Sequence, residues 1–215
     1  MNFEHHQDVR PFRSFAVIPA AGKSVRMGQP KLLLRVGGKP ILQRTFEAFD
    51  GNVSRTVVVI RHADTRLHSF LQHQNVDVVR LPDDTPDMKQ TVQRGIDFIR
   101  DAYAPVDTDV WLLAPADLPL LEPAAVATLL AHYRRNQNQN QEQVLVASHH
   151  GTTGHPVLLP WSWASRLGEL SSDQGIRDLW RANDIVQVEC GPSAIRPDVD
   201  TPEDLAAIQR WPADH

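Results

Sequence analysis

Short apolar runs separated by polar stretches recur along the chain and predict strands that alternate with helices. Strand-like runs rich in β-branched residues occupy residues 15–18, 56–60, 76–81, 109–113, 144–147, 156–159 and 185–189. Apolar residues near helical spacing occupy residues 40–49, 64–73, 88–102, 123–134, 161–168, 174–181 and 202–210. This alternation predicts a mostly parallel central sheet with helices on both faces, the three-layer arrangement of an α/β domain.

The length of 215 residues fits one such domain, which we expect to span residues 14–211. Residues 1–13 are polar and contain no apolar segment, so we interpret them as a flexible extension that is neither a signal peptide nor a membrane anchor. Residues 136–143 read NQNQNQEQ and predict a surface loop without a function of its own. A turn is expected at residues 151–154.

Composition and charge argue against a nucleic-acid partner, a membrane span and cysteine-based cross-links or zinc sites. The formal net charge of −4 provides no field that would attract nucleic acid. No apolar run approaches the roughly 20 residues that a membrane-spanning helix needs. Cys190 is the single cysteine, so an internal disulfide and a cysteine-based zinc site are excluded, and a reducing compartment is favoured. We therefore expect a cytoplasmic protein.

The segment that follows the first predicted strand has the chemistry of a phosphate-binding loop. Small residues let a backbone approach an anion closely, and three cations follow within a few positions. The segment lacks both the Walker GxxxxGK[ST] spacing and the Rossmann GxGxxG spacing, so neither an ATPase nor a dehydrogenase follows from it. The residues that point to a phosphate are Ala20, Ala21, Gly22, Lys23, Ser24, Arg26 and Lys31.

Two aspartates lie at the ends of predicted extended segments, and one of them is a candidate ligand of a hard cation. Asp117 comes just after the buried strand-like run 109–113, where a carboxylate can bind Mg²⁺ together with phosphate oxygens or can cap the following turn. Asp200 precedes a helix start that reads Thr-Pro-Glu-Asp. Capping by Thr201 explains that helix start, but it does not explain Asp200.

Two further segments carry polar residues at turns. Gly154 and His155 begin a GHPV sequence, in which the histidine either contacts a substrate or is a structural hydrogen-bonding group. Thr91 lies in the first turn of a predicted helix, after a loop rich in proline and aspartate. The remaining histidines form no compact metal-ligand pattern.

Together these motifs resemble the MobA-like NTP transferase domain family. The family loop AAGxSxRMGxxKLLL is matched at every fixed position between Ala20 and Leu34, and the family sequences D-[ML]-P, GHPV and DIDTPEDL align with residues 117–119, 154–157 and 198–205. The chain departs from the family at Thr152 and Thr153, where arginine is frequent before GHP. It departs again at Asp87 and Thr91, where glycine and serine are usual.

The resemblance implies a Rossmann-like nucleotidyltransferase fold, and it is strongest to the molybdenum cofactor cytidylyltransferases. It implies Mg²⁺ bound by Asp117 and Asp200, catalysis by Arg26 and Lys31 with Asp117, and acceptor binding by Gly154 and His155. The nucleotide would contact the loop and Thr91. In this family AAG rather than AGG goes with CTP, so the expected substrates are CTP and molybdopterin.

Two alternatives remain open at this point. The same chemistry could act on another acceptor, such as a sugar phosphate or methylerythritol phosphate. A protein of another class, a nucleotide-binding partner of a molybdoenzyme without turnover, would share the phosphate loop. In the enzyme interpretation, a molybdoenzyme or its chaperone is the expected downstream partner.

Overall fold

The structure is a computed structural model that describes residues 11–137, 143–180, 185–195 and 198–210, apart from the side chain of Val25. Most of the expected N-terminal extension, residues 1–10, lies outside the described residues, as does the centre of the predicted Asn/Gln loop, residues 138–142. The described part of the chain contains no helix that is long and apolar enough to cross a membrane.

Two residues of the expected extension are packed against the domain. The Phe12 ring meets the Tyr133 ring edge-on, with their centroids 4.9 Å apart. The Arg13 guanidinium lies 2.7 Å from the carboxylate of Asp109, which is buried. A buried carboxylate needs such a partner, so Phe12 and Arg13 lie against the domain that we expect to begin at residue 14.

Seven strands form the central sheet, and two short strands form a separate hairpin. The strands are β1 (Ser14–Pro19), β2 (Arg35–Val36), β3 (Lys39–Pro40), β4 (Arg55–Arg61), β5 (Asp77–Leu81), β6 (Val110–Leu113), β7 (Val144–His149), β8 (Thr152–Pro160) and β9 (Ile185–Glu189). The order in the large sheet is β5–β4–β1–β6–β8–β7–β9. The buried runs predicted from the sequence are therefore strands of one sheet.

The sheet is parallel except around β8. β1 pairs in parallel with β4 and β6, and β7 pairs in parallel with β9. β8 runs antiparallel to both of its neighbours, β6 and β7. His150 and Gly151, with φ values of 48° and 80°, connect β7 to β8 as a two-residue hairpin, and such a turn can join only antiparallel strands. The predicted turn at residues 151–154 is thus shorter than expected, and Gly154 lies in β8.

Helices cover both faces of the sheet, as predicted. They are α1 (Ile41–Glu47), α2 (Thr65–Leu71), α3 (Met88–Tyr103), α4 (Pro123–Arg135), α5 (Ala164–Glu169) and α6 (Pro202–Gln209). Along β1, Ala16 and Ile18 join the apolar core beneath α1, α2, α4 and α6. Phe15 and Val17 join the core beneath α3 and α5. Successive side chains of β1 point to opposite faces of the sheet, and both faces are buried, so the sequence of this strand is continuously apolar.

The short elements account for the remaining differences from the sequence prediction. The helix expected at residues 161–168 is a 3₁₀ turn (Trp161–Trp163) followed by α5. The described part of the helix expected at residues 174–181 contains only the 3₁₀ turn Ile176–Leu179. The β2–β3 hairpin was not predicted, although Gly37 and Gly38, both with positive φ, are typical of its tight turn.

Candidate active site

The loop after β1 forms one wall of a cleft of about 360 Å³ at the edge of the sheet where β1 and β6 end. β1 and β6 run in parallel, so the segments that follow them emerge side by side. The opposite wall contains Asp117, together with Asp198 and Asp200 from the segment before α6. The predicted phosphate-loop residues that line this cleft are Ala20, Gly22, Lys23, Ser24, Arg26 and Lys31.

Local structure in the loop brings Lys31 back towards the cleft. Ser24 adopts a left-handed backbone conformation with φ of 50°, which is uncommon for a residue other than glycine. Its hydroxyl accepts a hydrogen bond of 3.4 Å from the backbone amide of Lys31. Lys31 opens a 3₁₀ turn (Lys31–Leu33) whose Leu32 is buried in the core. The bond between Ser24 and Lys31 therefore brings both ends of the segment 24–31 to the cleft.

The Lys31 ammonium bridges two carboxylates. It donates a hydrogen bond of 2.5 Å to Asp117 Oδ2 and one of 2.8 Å to Asp200 Oδ1. Burial alone would lower the pKa of Lys31, but the hydrogen bonds and charges of the two aspartates outweigh it and raise the pKa above its ordinary value of 10.5. Lys31 is therefore charged at neutral pH, and its side chain is only 12% exposed.

The other two cations of the loop are also paired. Arg26 Nη2 lies 2.7 Å from Asp200 Oδ2, so both oxygens of Asp200 contact a cation. Lys23 Nζ lies 2.8 Å from Asp84, and both of these side chains are exposed. Lys23, Arg26 and Lys31 thus all line the cleft, each with a carboxylate as its partner.

One backbone hydrogen bond joins the two acidic segments. The Val199 amide donates to the Asp117 carbonyl at 3.1 Å. Val199 is fully buried, and side chains alternate along an extended segment, so Asp198 and Asp200 share the side that faces the cleft. The sequence analysis singled out Asp200 and did not identify Asp198 as a site residue. The signal that was available is the two-residue spacing of these aspartates around an apolar residue.

The three carboxylates fit a divalent cation. Asp117, Asp198 and Asp200 each offer an oxygen within 4.8 Å of the other two. Asp117 Oδ1 is buried and has no hydrogen-bond partner among the described residues. Burial, and then the negative charges of Asp117 and Asp200, raise the pKa of Asp198. A cation with hard oxygen ligands would satisfy the orphaned oxygen and offset the repulsion between the carboxylates.

A second cavity, of about 510 Å³, lies between the phosphate loop and the start of α3. Ala21, Gly22 and Lys23 line one side, and Thr91 lines the other. Thr91 is buried, and its hydroxyl lies 2.5 Å from the Thr85 hydroxyl. Thr91 thus lines a cavity together with the phosphate loop, and its hydroxyl is bonded within the protein. Its contact with the nucleotide stays a prediction.

A third cavity, of about 600 Å³, adjoins the cleft and shares Asp198 with it. His155 lines this cavity, and its Nδ1 atom is buried without a hydrogen-bond partner among the described residues. Burial lowers the pKa of His155, and the charge of Arg177 acts in the same direction. A hydrogen bond with the Leu113 backbone and the charge of Asp198 oppose that shift. A neutral imidazole facing a cavity can donate to or accept from an uncharged ligand group.

Gly154 shapes the same cavity through its lack of a side chain. A Cβ atom at this position would lie 1.9 Å from the Ala194 carbonyl oxygen. Only glycine allows the 3₁₀ turn Pro192–Ile195 to approach β8 so closely. Since Asp198 and Asp200 follow this turn, Gly154 contributes to the placement of the acidic segment as well as lining the third cavity.

Curated relatives of the chain include several cytidylyltransferases. The molybdenum cofactor cytidylyltransferase of Escherichia coli (strain K12) is 24% identical over 197 residues, which cover 91% of this chain and 95% of that protein. The 2-C-methyl-D-erythritol 4-phosphate cytidylyltransferase of Frankia casuarinae is 30% identical over 131 residues. That alignment covers 59% of this chain and 46% of the relative, or about half of its length.

Solved structures share the fold over nearly the whole chain. Rv0371c from Mycobacterium tuberculosis H37Rv superposes with a TM-score of 0.73 at 19% identity, covering 92% of this chain and 98% of that chain. Its complex with manganese superposes with a TM-score of 0.70 at 18% identity, covering 93% and 99%. The model of the MobA-like NTP transferase domain matches residues 16–188, which include the phosphate loop and Asp117. The chain belongs to the MobA-like NTP transferase domain family.

Proposed function

We propose that this protein is a cytidylyltransferase, which transfers CMP from CTP to the phosphate of molybdopterin and releases pyrophosphate. The observation that carries the proposal is the contact of Lys31 with Asp117 and Asp200 beside the Ala20–Ser24 loop. A loop for phosphates, a partly buried cation and three carboxylates that could hold a metal ion meet there in one cleft. A reaction between two phosphate anions needs these three components.

The chain's own residues align and neutralise the reactants. The small residues Ala21 and Gly22 let the triphosphate approach the backbone, while Lys31 and Arg26 neutralise its charge. An oxygen of the acceptor phosphate attacks the α-phosphorus in line, and the electron pair of the breaking P–O bond leaves with pyrophosphate. No side chain needs to form a covalent intermediate. Catalysis therefore rests on charge and orientation.

Asp117 and Asp200, with Asp198 beside them, are the residues that would hold Mg²⁺. When bound, the cation supplies electrostatic stabilisation of the charge that develops on the phosphate oxygens. The mycobacterial structure of the same fold was solved as a manganese complex, which supports a divalent cation as the cofactor. The orphaned Asp117 Oδ1 supports the same assignment from this chain alone.

The choice of substrates rests on the sequence and the relatives. Ala20-Ala21-Gly22 is the form of the loop that goes with CTP in the family, and the names of both relatives described above specify a cytidylyl group. Molybdopterin is favoured because the Escherichia coli relative aligns over almost its entire length. His155 and Gly154 line the third cavity, beside Asp198, and are the proposed acceptor-binding residues. We expect the enzyme to act in the cytoplasm and to deliver its product to a molybdoenzyme or its chaperone.

A second acceptor class has specific support. The Frankia relative is named for methylerythritol phosphate, and the 31% identical relative from Lactiplantibacillus plantarum is named for ribitol-5-phosphate. Either would use the same cleft with a different occupant of the third cavity. A binding protein without turnover is less well supported, since it would have no need of Lys31 between two carboxylates.

Pyrophosphate release tests the proposal directly. The purified protein is incubated with Mg²⁺ and each of the four common NTPs, in separate reactions with molybdopterin released from a cofactor-carrying protein, methylerythritol phosphate, ribitol-5-phosphate or no acceptor. The proposal requires release with CTP that depends on molybdopterin, and mass spectrometry identifies the product. Release that depends on another acceptor would replace molybdopterin. A rise in melting temperature with CTP but no release with any acceptor would favour the binding protein.

A further inference from the structure

Thr45 lies directly beneath the backbone of Asp117. It is in α1 and is fully buried. Its Oγ1 atom lies 3.1 Å from the Ala116 carbonyl oxygen and accepts a hydrogen bond of 3.1 Å from the Leu118 amide. One hydroxyl therefore contacts the peptide groups on both sides of Asp117.

β6 ends at Leu113, so the Ala116 carbonyl and the Leu118 amide lie beyond the hydrogen bonds of the sheet and are bonded by Thr45 instead. The hydroxyl has a single proton, which it can donate to Ala116 or to the Ile41 carbonyl at 3.2 Å, one turn back in α1. It remains free to accept from Leu118 in either case. A buried amide without an acceptor is costly, so removing the hydroxyl would favour a shift of the backbone around Asp117.

Neighbouring contacts fix the same segment from other sides. Arg44 Nε donates to the Pro119 carbonyl at 2.6 Å, and the Asp117 carbonyl accepts from Val199. Two residues of α1 thus bond the backbone of residues 116–119, and Val199 bonds the same stretch through its amide. Thr45 does not line the cleft, so it can act on Asp117 only through the backbone.

We propose that Thr45 is a positioning residue for the cation site. By holding the two peptide groups that flank Asp117, the Thr45 hydroxyl sets the direction of the Asp117 carboxylate towards Lys31 and Asp200. It thereby sets the affinity of the three carboxylates, Asp117, Asp198 and Asp200, for a divalent cation. The inference rests on the proposed cation site. Groups that orient a metal ligand typically change metal affinity or activity about 10- to 100-fold when they are removed.

Mn²⁺ titration by isothermal calorimetry, without nucleotide, tests this role. Thr45→Val keeps the shape of the side chain and removes the hydroxyl, whereas Thr45→Ser keeps the hydroxyl. Ser148→Ala is the matched control, because the buried Ser148 hydroxyl bonds the Val188 carbonyl at 3.0 Å in a part of the sheet that does not line the cleft. If the valine variant does not fold, Thr45→Ala is compared with Thr45→Ser, which differ from each other by the hydroxyl alone.

The expected result is a Kd for Mn²⁺ that rises about 10- to 100-fold in Thr45→Val and stays near the wild-type value in Thr45→Ser and Ser148→Ala. Wild-type affinity in Thr45→Val would overturn the proposal. An equal loss in Ser148→Ala would also overturn it, because general destabilisation would then explain the effect, and so would the absence of Mn²⁺ binding by the wild type. The titration contains no nucleotide or acceptor, so a failure of the cytidylyltransferase assignment would leave this pattern intact and would be recognised separately.

Discussion

The backbone amide of Val199 donates a hydrogen bond of 3.1 Å to the carbonyl oxygen of Asp117. This bond joins the segment after β6 to the segment before α6, which are far apart in the sequence. It sets Asp117 beside the two aspartates that flank Val199, and all three face one cleft. The acidic part of the site is therefore built by pairing two short extended segments at the edge of the sheet.

Asp117→Asn is expected to abolish most of the turnover while the protein stays folded. The amide keeps the size of the side chain but removes the charge that would bind the cation. We expect pyrophosphate release to fall by at least about 100-fold, the scale for a group that acts on charge in the transition state. Asp101→Asn, an exposed change on α3, is the control and should leave the rate unchanged. Substantial Mg²⁺-dependent activity in Asp117→Asn would contradict the role of Asp117.

Lys31→Gln is expected to cost about 3 kcal/mol of transition-state stabilisation, a fall of about 10²- to 10³-fold in kcat. Lys31 is charged, only 12% exposed and adjacent to the phosphate loop, so its interaction with a developing negative charge is weakly screened. Lys39→Gln is the matched control, since Lys39 is an exposed lysine that pairs with Glu47 at 2.7 Å. Equal rates for the two variants in the pyrophosphate assay would rule out a direct role for Lys31.

Gly154→Ala is expected to lower the free energy of unfolding by about 1–3 kcal/mol, because the added methyl group would overlap the Ala194 carbonyl. Gly168→Ala provides the comparison. Its Cβ would make an ordinary contact of 3.6 Å with the Gln93 side chain inside a helix, so a neutral or slightly stabilising effect is expected. Urea denaturation of both variants measures the difference. A Gly154→Ala protein as stable as the wild type would show that the turn against β8 can move away without cost.

The Cys190 thiol is expected to react slowly at neutral pH. Burial raises its pKa from the ordinary 9.0 to about 11, and only the thiolate is a good nucleophile. Because the pKa is raised on folding, the stabilising contribution of the protonated thiol is complete below pH 9.0 and is lost as the pH rises through about 11. The rate of alkylation by iodoacetamide, followed against pH, should have its midpoint near the higher value in the folded protein and near the lower one in denaturant. Rapid alkylation of the folded protein at about pH 8 would contradict the burial of the thiol.

Much of the fold was predictable because its signals are local. A strand buried on both faces must be continuously apolar, and β1, β4 and β6 could be recognised from that pattern alone. The start of α6 was equally clear from Thr201, whose side chain accepts from the Asp204 amide in a capping box. The antiparallel course of β8 was not predicted, because the turn before β8 was placed at residues 151–154 and not at the two-residue hairpin of His150 and Gly151.

Four residues of the site were also predictable, because each of them lies in a local sequence motif. Arg26, Lys31, Asp117 and Asp200 were identified as separate motifs, and the structure brings their charged groups into direct contact. The contact of Thr91 with the nucleotide stays a prediction. The structure adds a bond between the Thr91 and Thr85 hydroxyls, which the packing of the loop against α3 creates.

The sequence by itself determined the succession of the main strands and helices along the chain, the phosphate loop and the presence of cations and carboxylates. Each of these depends on residues that are close together in the chain. Only the tertiary structure decided that Asp198 joins the acidic group, that Lys31 lies between two carboxylates and that Thr45 supports Asp117. Those relationships join segments that are distant in the sequence. They arise when the parallel strands bring their carboxyl ends to one edge of the sheet, and no local pattern encodes them.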